Sequence, residues 1–222
     1  MRPVLAWMTA CVVPMSWAAS AAADDWSTAK LKGAFGFTGS AACLVAPGSS
    51  TTAMSGLLPG AGFNNFFQPN TPATSFSNSF SVEGVRTFSG TGTGTVKGTS
   101  VSIAPPPTPS GPFPSFPPDA GSDSFSYNFT YTVNADGSWT SAMVAGSFTG
   151  TFLTGPRTGQ TYSIDQIPPI NGLIEEDGLT LIGAHLTTAV ETVTYSNGNV
   201  WPRVCHRSRV FIKLAPHRPP AP

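Results

Sequence analysis

Apolar and polar residues alternate along most of this chain with a period of two. The clearest example is the segment 124–133, where Phe, Tyr and Val alternate with Ser, Asn and Thr. This alternation is typical of a β-strand with one face in a core and the other face in water. Similar segments recur at short intervals, separated by Gly, Pro, Asn and Asp residues that favour turns.

The pattern predicts an all-β chain of roughly eight to eleven short antiparallel strands without helices. A meander of this size closes its edges most easily as a single up-and-down β-barrel of about eight or more strands. A two-sheet β-sandwich is the alternative. The predicted strands cover residues 30–45, 75–88, 96–104, 124–133, 138–144, 146–153, 160–167, 170–174, 179–186, 190–196 and 199–214.

Three segments differ from this pattern. Residues 1–23 carry Arg2, then an apolar run, then small residues, as in a secretory signal peptide cleaved near Ala23. We therefore expect a secreted or periplasmic protein with no transmembrane segment after cleavage. The barrel domain would span residues 24–214, with a Pro-rich excursion at 105–123 and a Pro-rich disordered tail at 215–222.

Composition narrows the classes of partner. The formal net charge is zero, which gives no electrostatic basis for binding nucleic acid. Only 10% of the 222 residues are charged, against about 25% in average soluble domains. The three histidines are too scattered to suggest a metal site, and no dinucleotide or phosphate-loop fingerprint is present, so we expect no metal and no cofactor. The oligomeric state is left open.

Cleavage of the signal would remove Cys11 and leave Cys43 and Cys205. Two cysteines in an oxidising compartment most simply form one disulfide. Two free thiols are the alternative.

The last hairpin provides the candidate catalytic residues. Asn197-Gly198 favours a two-residue type I′ turn, which would pair Glu191 with Val204 and Ala189 with His206. Glu191 and His206 would then share the apolar face, either as a general acid/base pair or as a buried structural pair. Three arginines, Trp201 and Cys205 would lie on the other face, either as a solvated face or as a site for an anionic or sugar-like ligand. This position of Cys205 conflicts with a disulfide to Cys43, which lies on the apolar face of its own strand.

A second set of residues would line the barrel interior and contact a ligand. Loop phenylalanines Phe63, Phe66 and Phe67 would either fold over an open end of the core or form a lid. The candidate ligand-binding residues are Phe80, Arg86, Tyr127, Phe129, Tyr131 and Tyr195.

Three segments resemble small secreted bacterial β proteins without an assigned activity: SFSVEGVRTF at 79–88, GTFLTGPR at 150–157, and ETVTYSNG at 191–198 followed by RVCHRSR at 203–209. At the level of architecture the chain is similar to calycin or allene-oxide-cyclase-like barrels. That resemblance implies eight antiparallel strands around an apolar cavity. No catalytic motif of those families can be placed on this sequence.

These observations lead to three hypotheses. The first is a secreted barrel that binds a small apolar or amphipathic molecule. The second is a cofactor-independent isomerase or cyclase, and the third is a non-catalytic envelope or extracellular structural protein. The sequence does not decide whether the protein is an enzyme, and it does not show whether the barrel interior is open or filled by side chains.

Overall fold

The computed structural model describes residues 26–46, 62–72, 75–104 and 119–215, and these residues form eleven β-strands and no α-helix. Every pairing between neighbouring strands is antiparallel, as the alternating pattern predicts. The strands are β1 (Lys32–Val45), β2 (Phe76–Ser89), β3 (Thr93–Ala104), β4 (Asp119–Val133), β5 (Ser138–Met143), β6 (Thr149–Phe152), β7 (Thr161–Ile164), β8 (Ile170–Ile174), β9 (Thr180–His185), β10 (Val190–Tyr195) and β11 (Val200–Lys213).

The sheet closes into a ring because β1 pairs with β2 on one side and with β11 on the other. The ring runs through eight strands in the order β1, β2, β3, β4, β5, β8, β9 and β11. The expected antiparallel barrel is therefore confirmed, and the two-sheet sandwich is not the architecture. Closure removes the free edges that an open sheet of this length would expose.

One wall of the barrel consists of two half-walls. Strand β4 pairs with β6 through residues 123–126 and with β5 through residues 129–133. Strand β11 likewise pairs with β10 through residues 200–204 and with β9 through residues 208–212. A second eight-stranded ring thus contains β6, β7 and β10 where the first contains β5, β8 and β9. The chain crosses between the half-walls after β5, β7 and β9, so this wall is not a simple up-and-down meander.

Strands β4 and β11 lie opposite each other across the barrel. In either ring three strands separate them on each side. The inward side chains of these two strands therefore face each other across the interior, which defines the two walls of the site described below.

The predicted segment boundaries hold only in part. Strand β4 begins at Asp119, which pairs with Ala104, so the last five residues of the predicted excursion 105–123 belong to a strand. The predicted signal segment 1–23, the rest of the Pro-rich excursion and tail residues 216–222 lie outside the described residues.

A packed aromatic core fills the end of the barrel that carries the β5–β8–β9 half-wall. The ring of Phe88 meets Phe129, Tyr131 and Trp139 edge to face, with centroid separations of 5.0 to 6.2 Å. This is the geometry that aromatic quadrupoles favour. The buried residues of this core include Leu31, Phe35, Phe37, Val96, Leu181 and Phe211.

The described part of the Phe-rich loop packs on the outside of the barrel. Leu44, Val204 and Val190 are paired in a row across β1, β11 and β10, on the outer faces of these strands. Phe63 is 1% exposed and packs against this row. Phe66, in contrast, is 83% exposed. The expectation that these phenylalanines fold over an open end of the core is therefore wrong. Phe63 is buried against apolar residues on the outer face of the barrel, and Phe66 is exposed to solvent.

The last hairpin has a different register from the one predicted. The carbonyl of Tyr195 accepts a hydrogen bond from the Gly198 amide at 2.9 Å, and the Tyr195 amide donates to the Asn199 carbonyl at 2.9 Å. Gly198 has a φ of 85°, in the left-handed region. This is a three-residue loop ending in a glycine bulge, which Asn-Gly also permits. Thr194, not Tyr195, consequently pairs with Val200.

The shift of one residue reverses the two faces of β11. Arg203, Arg207 and Cys205 point into the barrel, whereas His206 is exposed. Cys205 pairs directly with Cys43 and the two form the predicted disulfide. The conflict between the two cysteine faces is thereby removed, without the bulge in β1 that it would otherwise require.

Candidate functional site

The inward face of β11 carries a row of arginines. Arg207 lies opposite Ala41 of β1, and Arg209 lies opposite Gly39. These small partners leave room for the guanidinium groups. A β-carbon on Gly39 would stand 2.6 Å from Cδ of Arg209 and 2.1 Å from the Ser208 carbonyl oxygen. Arg209 therefore depends on glycine at position 39.

Glu191 holds two of these arginines. Its carboxylate oxygen Oε1 accepts hydrogen bonds from Nε of Arg203 and from Nη2 of Arg207, and the residue is 1% exposed. Burial alone would raise the pKa of Glu191, but the charges and hydrogen bonds of the two arginines outweigh it and lower the pKa to about 2. Glu191 is therefore a carboxylate at neutral pH. Its second oxygen, Oε2, has no hydrogen-bond partner.

His185 extends this cluster at the end of β9. Its Nδ1 lies 3.2 Å from Nη1 of Arg207. Since an arginine nitrogen can only donate, Nδ1 accepts and the proton of the neutral ring resides on Nε2. Burial, followed by the charge of Arg207, lowers the pKa of His185 to about 3. His185 is thus a neutral acceptor that orients Arg207.

Asp123 is the interior carboxylate on the opposite wall. It is 4% exposed and accepts hydrogen bonds from Ser100 Oγ at 2.6 Å and from Tyr162 Oη at 2.8 Å. Burial, together with the negative charge of Asp123, raises the pKa of Tyr162 well above its ordinary value. Tyr162 therefore stays a phenol and a donor to Asp123.

Three aromatic rings on the same side of the barrel as Asp123 have nearly parallel planes. Phe125 and Tyr127 of β4 and Phe148 of the following crossover have ring planes within 18° of one another. Their centroids are 5.8 to 6.4 Å apart. Glycines create the space for these rings: a β-carbon on Gly98 would stand 2.8 Å from the Phe125 ring.

A cavity of about 90 Å³ separates the arginine wall from the aromatic wall. Arg203, Arg207 and Arg209 line it on the β11 side, and Phe125, Tyr127 and Asp123 line it on the β4 side. Phe80, Tyr162, Tyr195 and Arg157 also contribute to its lining. The barrel interior is therefore filled by side chains at one end, whereas its other half contains this cavity beside a second buried cluster.

The interior charges do not balance. Within the described part of the chain, Asp123 and Glu191 are the carboxylates that face inward, against Arg86, Arg157, Arg203, Arg207 and Arg209. Neither Arg86 nor Arg209 has an ion-pair partner among the described residues. Burial lowers the pKa of each to about 10, so both remain cations at neutral pH.

Arg86 is a core residue. It is 2% exposed, donates to the Ser141 hydroxyl, and places its guanidinium carbon 3.7 Å from the centroid of the Phe129 ring. Cation–π contacts of this kind partly offset the loss of water around a buried charge. Its Nε has no hydrogen-bond partner.

The predicted site residues thus divide into three groups. Phe80, Tyr127 and Tyr195 line the cavity. Phe129, Tyr131 and Arg86 belong to the packed end of the barrel. Glu191 and His206 are not brought together: the predicted shared face is wrong, because the glycine bulge turns His206 outward.

Sequence reasoning missed Arg203, Arg207, Arg209, Asp123 and Tyr162 as interior residues. It placed the arginines on a solvated face by assuming a two-residue turn. The sequence nevertheless contains a signal that these arginines face inward. A disulfide requires Cys205 to share the inward face of Cys43, and Arg203, Arg207 and Arg209 have the parity of Cys205.

Comparison with protein-family models, with curated protein sequences and with solved structures finds no match for this chain. The coarse architectural expectation, an antiparallel barrel, rests on the strand pairings alone. Among the described residues, no group of three or more His, Cys, Asp or Glu side chains could hold a metal ion. In the same residues no helix is long and apolar enough to cross a membrane.

Proposed function

We propose that the protein binds a small amphipathic anion in the cavity between β4 and β11. The observation that carries the proposal is the excess of interior arginines over carboxylates around an aromatic-lined cavity. The apolar part of the ligand would contact Phe80 and the aromatic wall, and its anionic group would contact the arginine wall.

The proposal depends on the free-energy cost of burying an arginine without a counter-charge. A buried cation without a counter-charge is unfavourable, since it loses its water and gains no partner. An anion delivered to the arginine wall would supply the missing partner, and guanidinium groups bind carboxylates through paired N–H donors. Ligand binding should therefore raise the free energy of unfolding of the protein.

The cavity volume restricts the size of the ligand. A cavity of about 90 Å³ is smaller than the roughly 150 Å³ that holds benzene in an engineered protein. A ligand with one ring, or an aliphatic chain of similar volume, therefore fits only if side chains that line the cavity move apart. Long-chain lipids are outside this limit.

Thermal shift and calorimetric titration with two matched pairs of probes test the proposal. Benzoate and hexanoate carry a carboxylate, whereas benzyl alcohol and hexanol have a similar body without charge. We expect at least one acid to raise the Tm and to bind about tenfold or more tightly than its alcohol, a difference of about 1.4 kcal/mol. Equal binding of acids and alcohols, or no binding by any of the four, would refute it.

The same titrations separate this function from the two alternatives. A structural envelope protein would show no dependence of Tm on any probe. A cofactor-independent isomerase or cyclase would bind a ligand and release it chemically altered, which mass spectrometry of the recovered ligand detects.

We further propose that the protein acts outside the cytoplasm, in the periplasm or the extracellular space. The Cys43–Cys205 disulfide supports this location, because such bonds persist in oxidising compartments. The leader-like composition of residues 1–23 supports it as well. Mass spectrometry of protein expressed with its full sequence should find an N-terminus near Asp24; an intact Met1 would refute the cleavage.

A further inference from the structure

We infer that the ligand is a planar aromatic carboxylate whose ring stacks on the aromatic wall and whose carboxylate is bound by Arg209. This inference rests on the proposed function and specifies the ligand class for the same cavity. Two features of the cavity carry it: the parallel rings on β4 and the incomplete hydrogen bonding of Arg209 on β11.

The aromatic wall favours a flat ligand. The rings of Phe125 and Phe148 are 8° from parallel, and that of Tyr127 is within 18° of both. Around Phe88, in contrast, rings meet edge to face. All three rings line the cavity, and an aromatic ligand that lies parallel to them gains offset-stacking contacts that a puckered aliphatic ring does not.

Some guanidinium N–H groups of Arg209 remain able to donate hydrogen bonds to a ligand. Its Nη1 donates to the carbonyls of Ser40 at 3.0 Å and Ser208 at 2.8 Å, which fixes the guanidinium in place. No carboxylate among the described residues pairs with it. Its remaining N–H groups on Nη2 and Nε can therefore bind a ligand carboxylate.

The other arginines of the interior are less suitable. Arg203 and Arg207 already share Oε1 of Glu191. Arg157 donates to Tyr195 Oη at 3.1 Å and lies 4.2 Å from the Phe152 ring centroid. Arg86 contacts the Phe129 ring and does not line the cavity.

The two features face each other. Strands β4 and β11 are opposite in the barrel, and Tyr127 and Arg209 line the same cavity. A ring held on the β4 side therefore directs a carboxylate substituent toward β11. Because residue 39 is glycine, no β-carbon at this position clashes with the Arg209 side chain.

Calorimetric titration of three probes into wild type and Arg209→Gln tests the inference. The probes are benzoate, cyclohexanecarboxylate and benzyl alcohol. For wild type we expect benzoate to bind at least about fivefold more tightly than cyclohexanecarboxylate, or about 1 kcal/mol, the value of one aromatic contact. In Arg209→Gln we expect the affinity for benzoate to fall about tenfold or more, with benzyl alcohol unchanged. Lys97→Gln removes a cation that is exposed on β3 and does not line the cavity, so this control variant should retain benzoate binding.

The outcomes distinguish this inference from the proposed function. If both carboxylates bind equally and better than the alcohol, the proposed function stands and the planar ligand is wrong. If benzyl alcohol binds as well as benzoate, the inference is wrong, and the proposed function fails with it when hexanol also binds as well as hexanoate. Undiminished benzoate binding by Arg209→Gln, or none by wild type up to about 10 mM, overturns the inference.

A second variant tests the aromatic wall without touching the arginines. Phe148→Leu retains an apolar side chain of similar size and removes one of the three parallel rings. We expect it to lose the preference for benzoate over cyclohexanecarboxylate while keeping that for benzoate over benzyl alcohol. An unchanged ring preference would show that stacking does not select the ligand. Circular dichroism and Tm confirm that each variant is folded.

Discussion

The substitution Glu191→Gln removes one charge from the interior and should destabilise the barrel strongly. Glu191 is 1% exposed and is the ion-pair partner of both Arg203 and Arg207. Glutamine has nearly the same shape, so packing is retained. Both guanidinium groups would remain buried without a counter-charge, which is the costly half of a broken ion pair.

The pKa of Glu191 gives the magnitude. It falls from an ordinary value of 4.5 to about 2 in the folded protein, since the two arginines outweigh the burial of the carboxylate. At about 1.4 kcal/mol per pKa unit, the ionised form contributes about 3 kcal/mol to stability at pH 7. Breaking a buried ion pair by removing one partner costs about 3–5 kcal/mol, which agrees.

The sign of the pH dependence follows from the lowered pKa. The contribution is complete above pH 4.5, where the unfolded carboxyl is also ionised, and is lost as the pH falls toward 2. By pH 3 wild type should have lost about 2 of the 3 kcal/mol, whereas the glutamine variant cannot titrate there. The stability difference between the two proteins should therefore shrink with acidification.

Urea unfolding followed by tryptophan fluorescence, at pH 7, 5 and 3, measures this difference. Glu83→Gln is the control, because Glu83 is exposed on the outer face of β2 and should change stability by less than about 0.5 kcal/mol. A cost below about 1 kcal/mol at pH 7 for Glu191→Gln, or a cost that does not change between pH 5 and pH 3, would refute the reasoning.

Three further predictions concern the disulfide, the outer loop and the hairpin register. Replacing both Cys43 and Cys205 by serine should cost up to about 5 kcal/mol in urea unfolding, since the bond closes a separation of 162 residues; free thiols in the unreduced wild type would contradict the bond. Phe63→Ala should lower stability by about 3–5 kcal/mol and leave benzoate binding intact, whereas Phe66→Ala, its control in the same loop, should change neither stability nor binding; equal effects of the two on stability would refute the packing on the outer face. His206→Ala should change stability and ligand binding by less than about 0.5 kcal/mol, and a large loss in either would restore the register in which His206 faces inward.

Much of the fold follows from local alternation. The segment 124–133 shows which residues face inward because each strand position has only two possible orientations. Closure into a barrel also follows, since many short hairpin-linked strands need to pair their edges. The stacking of two half-walls does not follow, because it depends on where β4 and β11 change partners along their length.

The candidate site depended on a single turn. Asn197-Gly198 is compatible with both a two-residue turn and a three-residue loop with a glycine bulge, and the local sequence does not choose between them. The choice is made by long-range pairing: Cys205 must meet Cys43. One residue of shift then decides whether three arginines face water or the cavity.

The sequence by itself determined the strands, the antiparallel barrel and the two cysteines available for a disulfide, because these depend on period-two patterning, turn residues and composition. The tertiary structure decided the register of β11, the placement of Phe63 outside the barrel and the meeting of the arginine wall with the aromatic wall. The physical reason is that alternation assigns residues to one of two faces within a strand, whereas contacts across the barrel decide which face lies inside.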